Sequence, residues 1–197
     1  TDTEYRDFLR HQDRVYYTQL LEYGDAIAPE LAKVERVGMI VDGRIVGAAS
    51  VTYQPWKRFF KRAFVLFGPS LDYSKPRLAE SFMRNLIKWV RRDRSVLALR
   101  VNPYVIRRPY EDTTPGAQLE IADQVDAEMA ACGGVKVQGE FYEDTSIQNR
   151  FTYSKDLQGM THQQAIASSG NNVRAGVRKA ASLGVRVEYL GAEDFGV

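Results

Sequence analysis

The chain has 197 residues, 44% hydrophobic and 26% charged, which supplies enough apolar material for a buried core and excludes a disordered or fibrous protein. Its 27 basic and 25 acidic residues leave a formal charge of +2, so affinity for a polyanion has to come from local clusters and not from a global field. A lone cysteine, Cys132, rules out an internal disulfide, and two distant histidines, His11 and His162, assemble no zinc spacing, so no metal site is expected and the composition suits a reducing cytosol. No apolar run reaches the length of a membrane span and the first residues, TDTEYRDFLR, are polar, so any membrane contact is expected from the surface.

Residues 3 to 12 are predicted to form a short helix with Tyr5, Phe8 and Leu9 on one side. VYYTQLLEYG then predicts a buried helical turn stopped by Gly24, in which Tyr16, Tyr17, Gln19 and Tyr23 are amphipathic. Two strands, Val34 to Val41 and Arg44 to Tyr53, are joined by Asp42-Gly43, a strong hairpin signal, and a third, Arg58 to Phe67, returns after Pro55-Trp56. After the Gly68-Pro69 corner, Leu78, Phe82, Leu86 and Val90 recur every four residues, with Met83, Ile87 and Trp89 widening the stripe and Arg77, Arg84, Lys88 and Arg91 facing away. That helix leads into the apolar run Val96 to Val101, completing a βαβ unit. Because a crossover helix joins parallel strands, the loops Gly68 to Ser74 and Asn102 to Arg107 leave one edge of the sheet, where α/β folds place ligands.

Beyond EDTTPG, helical spacing resumes from Ala117 to Ala131 and ends at Gly133-Gly134. A hairpin of Val135 to Phe141 and Ile147 to Tyr153 is expected around Glu143-Asp144, followed by a helix from Asn172 to Leu183 and a strand from Val185 to Leu190. The fold class is α+β (α/β): an antiparallel meander, a helix, a parallel strand, another helix and a hairpin is the element order of the GNAT-like acyltransferase fold.

A coenzyme A-dependent member of that fold binds pyrophosphate on a glycine-rich turn whose backbone N–H groups cluster before the central helix. The corresponding turn here, FGPSLDYSKP, has one glycine followed by a proline without an N–H, so no coenzyme A is expected. SSGNNVRAG has two glycines but no strand leading into it and is not read as a phosphate loop. Gly68, Pro69 and Tyr73 either line a cleft or shape the strand exit. Arg100 alternates with Leu99 and Val101, which makes it a site residue or a solvent-facing edge; Asn102 and Tyr104 follow at the strand end. Arg174 and Arg178 stand four apart with Lys179 beside them, a face suited to phosphate contacts or to plain solvation. Arg91, Arg92 and Arg94 complement the C-terminal end of the central helix. No Asp, Glu or His stands out by spacing as a general base.

The GPSLDY turn, the LALRVNPYV strand end, IQNRFTYSKDLQGMTHQQ and NNVRAGVRKAASLGVRVEYLGAEDF together resemble the FemABX peptidoglycan aminoacyltransferases, from about Tyr17 to the end of the chain. Members carry Gly-Pro after the third sheet strand, Asp-Pro after the central helix and its strand, then Gln-Pro-Arg, Asp-Leu and an Arg-rich helix. The resemblance implies two GNAT-like subdomains, residues 1–146 and the beginning of a second at 147–197, with the remainder of the second outside the chain. It further implies transfer of an aminoacyl group from aminoacyl-tRNA to the stem peptide of a lipid-linked or UDP-linked peptidoglycan precursor, in the cytoplasm or at the inner face of the membrane. By the same resemblance, Tyr17, Gln19, Gly68, Pro69, Tyr73, Arg100, Asn102 and Tyr104 would contact the precursor, and Arg174, Arg178 and Lys179 the tRNA or a phosphate. Three places depart from the pattern: Asn102 replaces the usual Asp, Asn149 a common Pro, and Tyr23 followed by Gly24-Asp25 stands where many members have Trp and, shortly after it, a lysine. A coenzyme A-dependent N-acetyltransferase and a non-catalytic precursor-binding module stay open as alternatives.

Overall fold

The computed structural model describes residues 1–31, 33–106, 117–137 and 155–187, with the backbone alone for 117–119. The chain divides into two compact units, Thr1–Gln148 and Asn149–Val197. In the first, α1 (Asp2–Arg10) and α2 (Leu21–Ile27) precede β1 (Lys33–Val41), β2 (Arg44–Trp56), β3 (Phe60–Val65) and the two-residue β4 (Ser70–Leu71). Then come α3 (Leu78–Val90), β5 (Val96–Val101) and α4 (Ala117–Ala131).

The sheet runs β1-β2-β3-β5, antiparallel except for the parallel pair β3 and β5, so the βαβ unit expected from periodicity is present. Its registers place Tyr53, Ala63 and Leu99 in one row and Thr52, Phe64 and Arg100 in the next. The first row faces α3, whose Phe82, Met83, Leu86 and Val90 close over Ala49, Val51, Ala63 and Val65. Each of the Phe, Met, Leu and Val side chains there contributes about 1.5–3 kcal/mol by leaving water, and the alanines less. On the opposite face, Ala48 of β2 packs with Tyr5, Leu9 and Leu21 of α1 and α2.

The termini of α3 and α1 are capped differently. Thr1 and Glu4 form a capping box on α1 within one turn of chain. Arg77, the residue before α3, sits at φ 62° and supplies no side-chain cap. The cap comes instead from α4: Glu128, 8% exposed, accepts from the backbone N–H of Arg77 at 2.8 Å and of Glu80 at 2.9 Å, and from Gln124 Nε2 at 2.8 Å.

Several boundaries differ from those the sequence predicts. β2 continues past Tyr53 to Trp56, because Tyr53 already pairs with Lys33 at the start of β1 and a proline is tolerated where a strand has one neighbour. β3 ends at Val65 and not Phe67, since Phe67 turns into the left-handed region at φ 49°. Gly24 lies inside α2 and stops nothing; a Cβ there would meet Val34 Cγ1 at 3.2 Å and Arg36 Nη2 at 3.3 Å, so glycine lets the helix lie close on β1. α4 has the predicted bounds, and Gly133, at φ 80°, turns the chain just past its end. Residues 135–137 and 185–187 carry no regular structure, and the rest of the predicted hairpin and of the last strand lies outside the described residues.

In the second unit α5 (His162–Ala167) starts from a Thr161 and Gln164 capping box, and α6 (Asn171–Ser182) follows. Arg174 of α6 donates from Nη1 to the carbonyl of Ala167 at 2.9 Å and from Nη2 to Asn171 Oδ1, tying the end of α5 to the first turns of α6.

Candidate functional site

The loops after β3 and β5 leave the same sheet edge, as the parallel pairing requires, and the backbone N–H of Asn102 closes that edge on the carbonyl of Val65 at 3.0 Å. Around this exit the rings of five residues meet. Tyr16 stacks on Phe67 with centroids 3.9 Å apart, and Tyr104 approaches edge-on, 5.4 Å from Tyr16 and 6.0 Å from Phe67. Tyr17 lies 4.8 Å from Tyr16 and carries the row on to Tyr23 at 5.2 Å. Phe67 is buried beneath the cluster, whereas Tyr17 is 55% exposed and Tyr16, Tyr23 and Tyr104 are half-buried. The result is an aromatic ledge with phenolic groups along it, able to hold a flat or apolar moiety on ring faces and to donate to its carbonyls. Burial raises the phenols of Tyr16 and Tyr23 above their ordinary range, so both stay neutral donors at physiological pH.

The floor of the ledge is set by Gln19, which is fully buried. β3 and β4 flank the same edge of β2 at residues 52–56 and 47–48, leaving a gap between them. The Gln19 carboxamide fills it: Ser50 N–H donates to Oε1 at 3.0 Å, and Nε2 donates to the carbonyl of Leu66 at 2.7 Å. Thr18 Oγ1 donates to the same carbonyl at 2.6 Å, and Tyr5 donates to the Gln19 carbonyl at 2.9 Å. The side chain thus stands in for a peptide group in the ladder. Gly68 is required beside it, because a Cβ there would lie 2.6 Å from Gln19 Cδ.

The residues singled out from sequence separate into three places. Tyr17, Gly68, Asn102 and Tyr104 converge on the strand exit. Gln19 and Pro69 are sealed beneath it, and Tyr73 donates to the Pro69 carbonyl at 2.6 Å, its phenol raised by burial. These three shape the exit; Gln19 and Pro69 present no open face, and Tyr73 is half-buried. Arg100 is exposed on the row shared with Thr52 and Phe64, one step back from the rings. Arg178 and Lys179 are exposed on α6 of the second unit, while the Arg174 guanidinium is engaged with Ala167 and Asn171.

Tyr16 and Phe67 were not among the predicted site residues; the aromatic density of VYYTQLLEYG signalled the first, and nothing local signalled the second. Glu128 was also missed. Its signal is an acid at the spacing of the buried Ala122 and Val125 on one face of α4. No cluster of His, Cys, Asp and Glu among the described residues is arranged to hold a metal ion.

Over 200 residues the chain is 24% identical to the aminoacyltransferase FemA of Staphylococcus epidermidis, covering 98% of this chain and 46% of that protein. The same match holds for the FemA of two named strains of that organism. The chain therefore spans less than half the length of these relatives. The crystal structure of FemX superposes with a TM-score of 0.52 at 16% identity, over 68% of this chain and 30% of that one, which shows a shared mixed α/β fold with an open sheet. The FemAB family matches residues 1–197, and the chain belongs to that family.

Proposed function

We propose that this chain is part of an aminoacyl-tRNA-dependent aminoacyltransferase that adds an amino acid to the stem peptide of a peptidoglycan precursor, as in formation of an interpeptide bridge. The first unit is read as a GNAT-like subdomain and the second as the start of another. The acceptor amine, deprotonated, attacks the ester carbonyl of the aminoacyl-tRNA; the new C–N bond forms as the C–O bond to the terminal ribose breaks, and the ribose hydroxyl leaves with a proton. Such an ester is already activated, so positioning and stabilisation of the oxyanion carry the rate.

The observation that carries this reading, beside the family, is what occupies the place where a GNAT-type enzyme holds pyrophosphate. At the turn, Pro69 offers no N–H. At the N-terminus of α3, the N–H groups of Arg77 and Glu80 already bind the chain's own carboxylate, Glu128. A coenzyme A phosphate would have to displace a buried anion, which argues for a donor of another kind. The aromatic ledge is then the surface offered to the precursor or to the terminal nucleoside of the donor.

No helix among the described residues is long and apolar enough to cross a membrane. The proposed place of action is the cytoplasm, with precursor delivered at the inner face of the membrane. The test uses the full-length parent protein with charged tRNA and a UDP-linked muropeptide. Addition of one amino acid to the muropeptide mass is the expected result. Precursor that binds without changing mass points to a binding module, and acetylation from acetyl-coenzyme A points to the alternative chemistry.

A further inference from the structure

The sheet edge opposite the aromatic ledge carries a second surface that the transfer reaction does not use. The turn from β2 into β3, Trp56 to Arg62, reads WKRFFKR, alternating aromatics and cations without an acid. Phe59 is 71% exposed and Phe60 39%. Lys57 and Arg62 each lie 4.6 Å from the centre of the Trp56 ring, and Arg58 lies 5.2 Å from that of Phe59. The cations are thus held beside the rings and leave the Phe59 phenyl outermost.

The end of α3 joins this turn, because Lys61 N–H donates to the carbonyl of Ser95 at 2.9 Å. That brings in Arg91, Arg92 and Arg94, all exposed, and Leu97, 53% exposed. Two acids lie here. Asp93 is paired with Lys61 at 2.9 Å, and Glu35 accepts from Lys33, Tyr53 and Trp89. Both carboxylates are held by donors of the chain, so the outward charge is positive.

We propose that this edge is a docking surface for an anionic phospholipid bilayer. Phe59 and Phe60 enter the boundary between headgroups and acyl chains, and Lys57, Arg58, Arg62 and the arginines ending α3 meet the lipid phosphates. The backbone of a nucleic acid duplex would satisfy the cations but leave the outermost phenyl in water, and a single strand that stacked a base on Phe59 is the alternative the tRNA arm of the test reads; the bilayer boundary takes both rings and cations. The six residues of β3 span about 20 Å, so docking by this edge holds the aromatic ledge away from the membrane and open to water-borne co-substrates. The inference goes beyond the transfer reaction and does not rest on it.

Vesicle flotation of the chain tests it, with phosphatidylcholine alone and with added phosphatidylglycerol. Binding is expected only to the anionic vesicles and to weaken with salt. Phe59→Ala should lower partitioning about tenfold through reduced apolar burial. Lys57→Ala with Arg58→Ala should lower it about 25-fold, roughly fivefold for each cation. Circular dichroism of each variant should match the parent, since these side chains are exposed. In a Phe59→Trp variant, indole emission should shift to the blue on anionic vesicles. Equal partitioning to neutral and anionic vesicles, no partitioning at all, or an unshifted indole in the bound state would each overturn the proposal. So would tRNA binding that requires Phe59 in a chain that ignores vesicles.

Discussion

Gln19 and Ser50, far apart in sequence, meet in the gap between β3 and β4 on one edge of β2: the backbone N–H of Ser50 donates to Gln19 Oε1 at 3.0 Å, and the amide nitrogen of the same side chain closes on the carbonyl of Leu66 at 2.7 Å. One carboxamide thereby completes the sheet and places the segment bearing Tyr16 and Tyr17 against Phe67.

Replacing Gln19 by Leu keeps the volume and removes both polar ends. The Ser50 N–H loses its acceptor, and the Leu66 carbonyl keeps only the Thr18 hydroxyl. A buried group left unsatisfied costs about 1–3 kcal/mol, so Gln19→Leu should lower stability by about 2–3 kcal/mol. Urea denaturation should show a reduced midpoint with an unchanged slope.

Glu128 acts on α3 from another helix. Glu128→Ala leaves the Arg77 and Glu80 N–H groups without their acceptor and should cost about 1–2 kcal/mol, as loss of a helix cap does. Glu128→Gln retains one acceptor oxygen but no charge and should fall between the two in thermal denaturation. A Glu128→Ala protein as stable as the parent would show that the cap contributes nothing.

The Asp93 carboxyl is held well below the usual carboxylate range, first by its bond with Lys61 Nζ and then by the Ser95 hydroxyl and N–H. A depressed pKa in the folded state means that the unfolded chain binds the proton more readily. The stabilisation is therefore present above about pH 4, the ordinary aspartate value, and is lost as pH falls toward the folded value. Asp93→Asn should lower stability at neutral pH and flatten the loss on acidification. Denaturation midpoints measured from neutral to acid pH read the difference between the two curves. Because the pair is partly exposed, the effect should be modest and reduced by salt.

On the aromatic ledge, exposure separates function from stability. Tyr17 is 55% exposed, so Tyr17→Ala should change stability by less than about 1 kcal/mol. If the ledge holds precursor or donor, the same change should weaken that binding about tenfold, in line with loss of one stacked ring. Tyr16→Ala removes the ring stacked on Phe67 and should affect both stability and binding. Calorimetry with the UDP-linked muropeptide and with charged tRNA, beside thermal denaturation, separates these outcomes.

On α6 the three cations should divide. If the exposed Arg178 and Lys179 contact tRNA phosphates, Arg178→Ala with Lys179→Ala should reduce the slope of log affinity for tRNA against log salt by about 2, one for each phosphate no longer neutralised. Arg174→Ala should instead loosen the link between α5 and α6, because its guanidinium bonds Ala167 and Asn171. Filter binding over a salt series measures the first, and hydrogen exchange of the α6 amides the second.

Where structure follows from short-range spacing, it was legible in the order of residues. The four-residue stripe Leu78, Phe82, Leu86 and Val90 marked α3, Asp42-Gly43 marked the β1–β2 hairpin, and the crossover helix marked β3 and β5 as parallel. The missing N–H of Pro69 is likewise a property of residue type, and the ordered motifs from Gly68-Pro69 to NNVRAGVRKA carry the family. Other features were settled by tertiary structure, because they join groups distant in the chain through side chains whose type does not name a partner. A glutamine can serve as ligand contact or ladder rung, and packing at Ser50 and Leu66 made Gln19 the rung. A glutamate on α4 became the cap of α3, 48 residues from Glu80, and four tyrosines with Phe67 became one surface only when two strand exits were brought to the same edge.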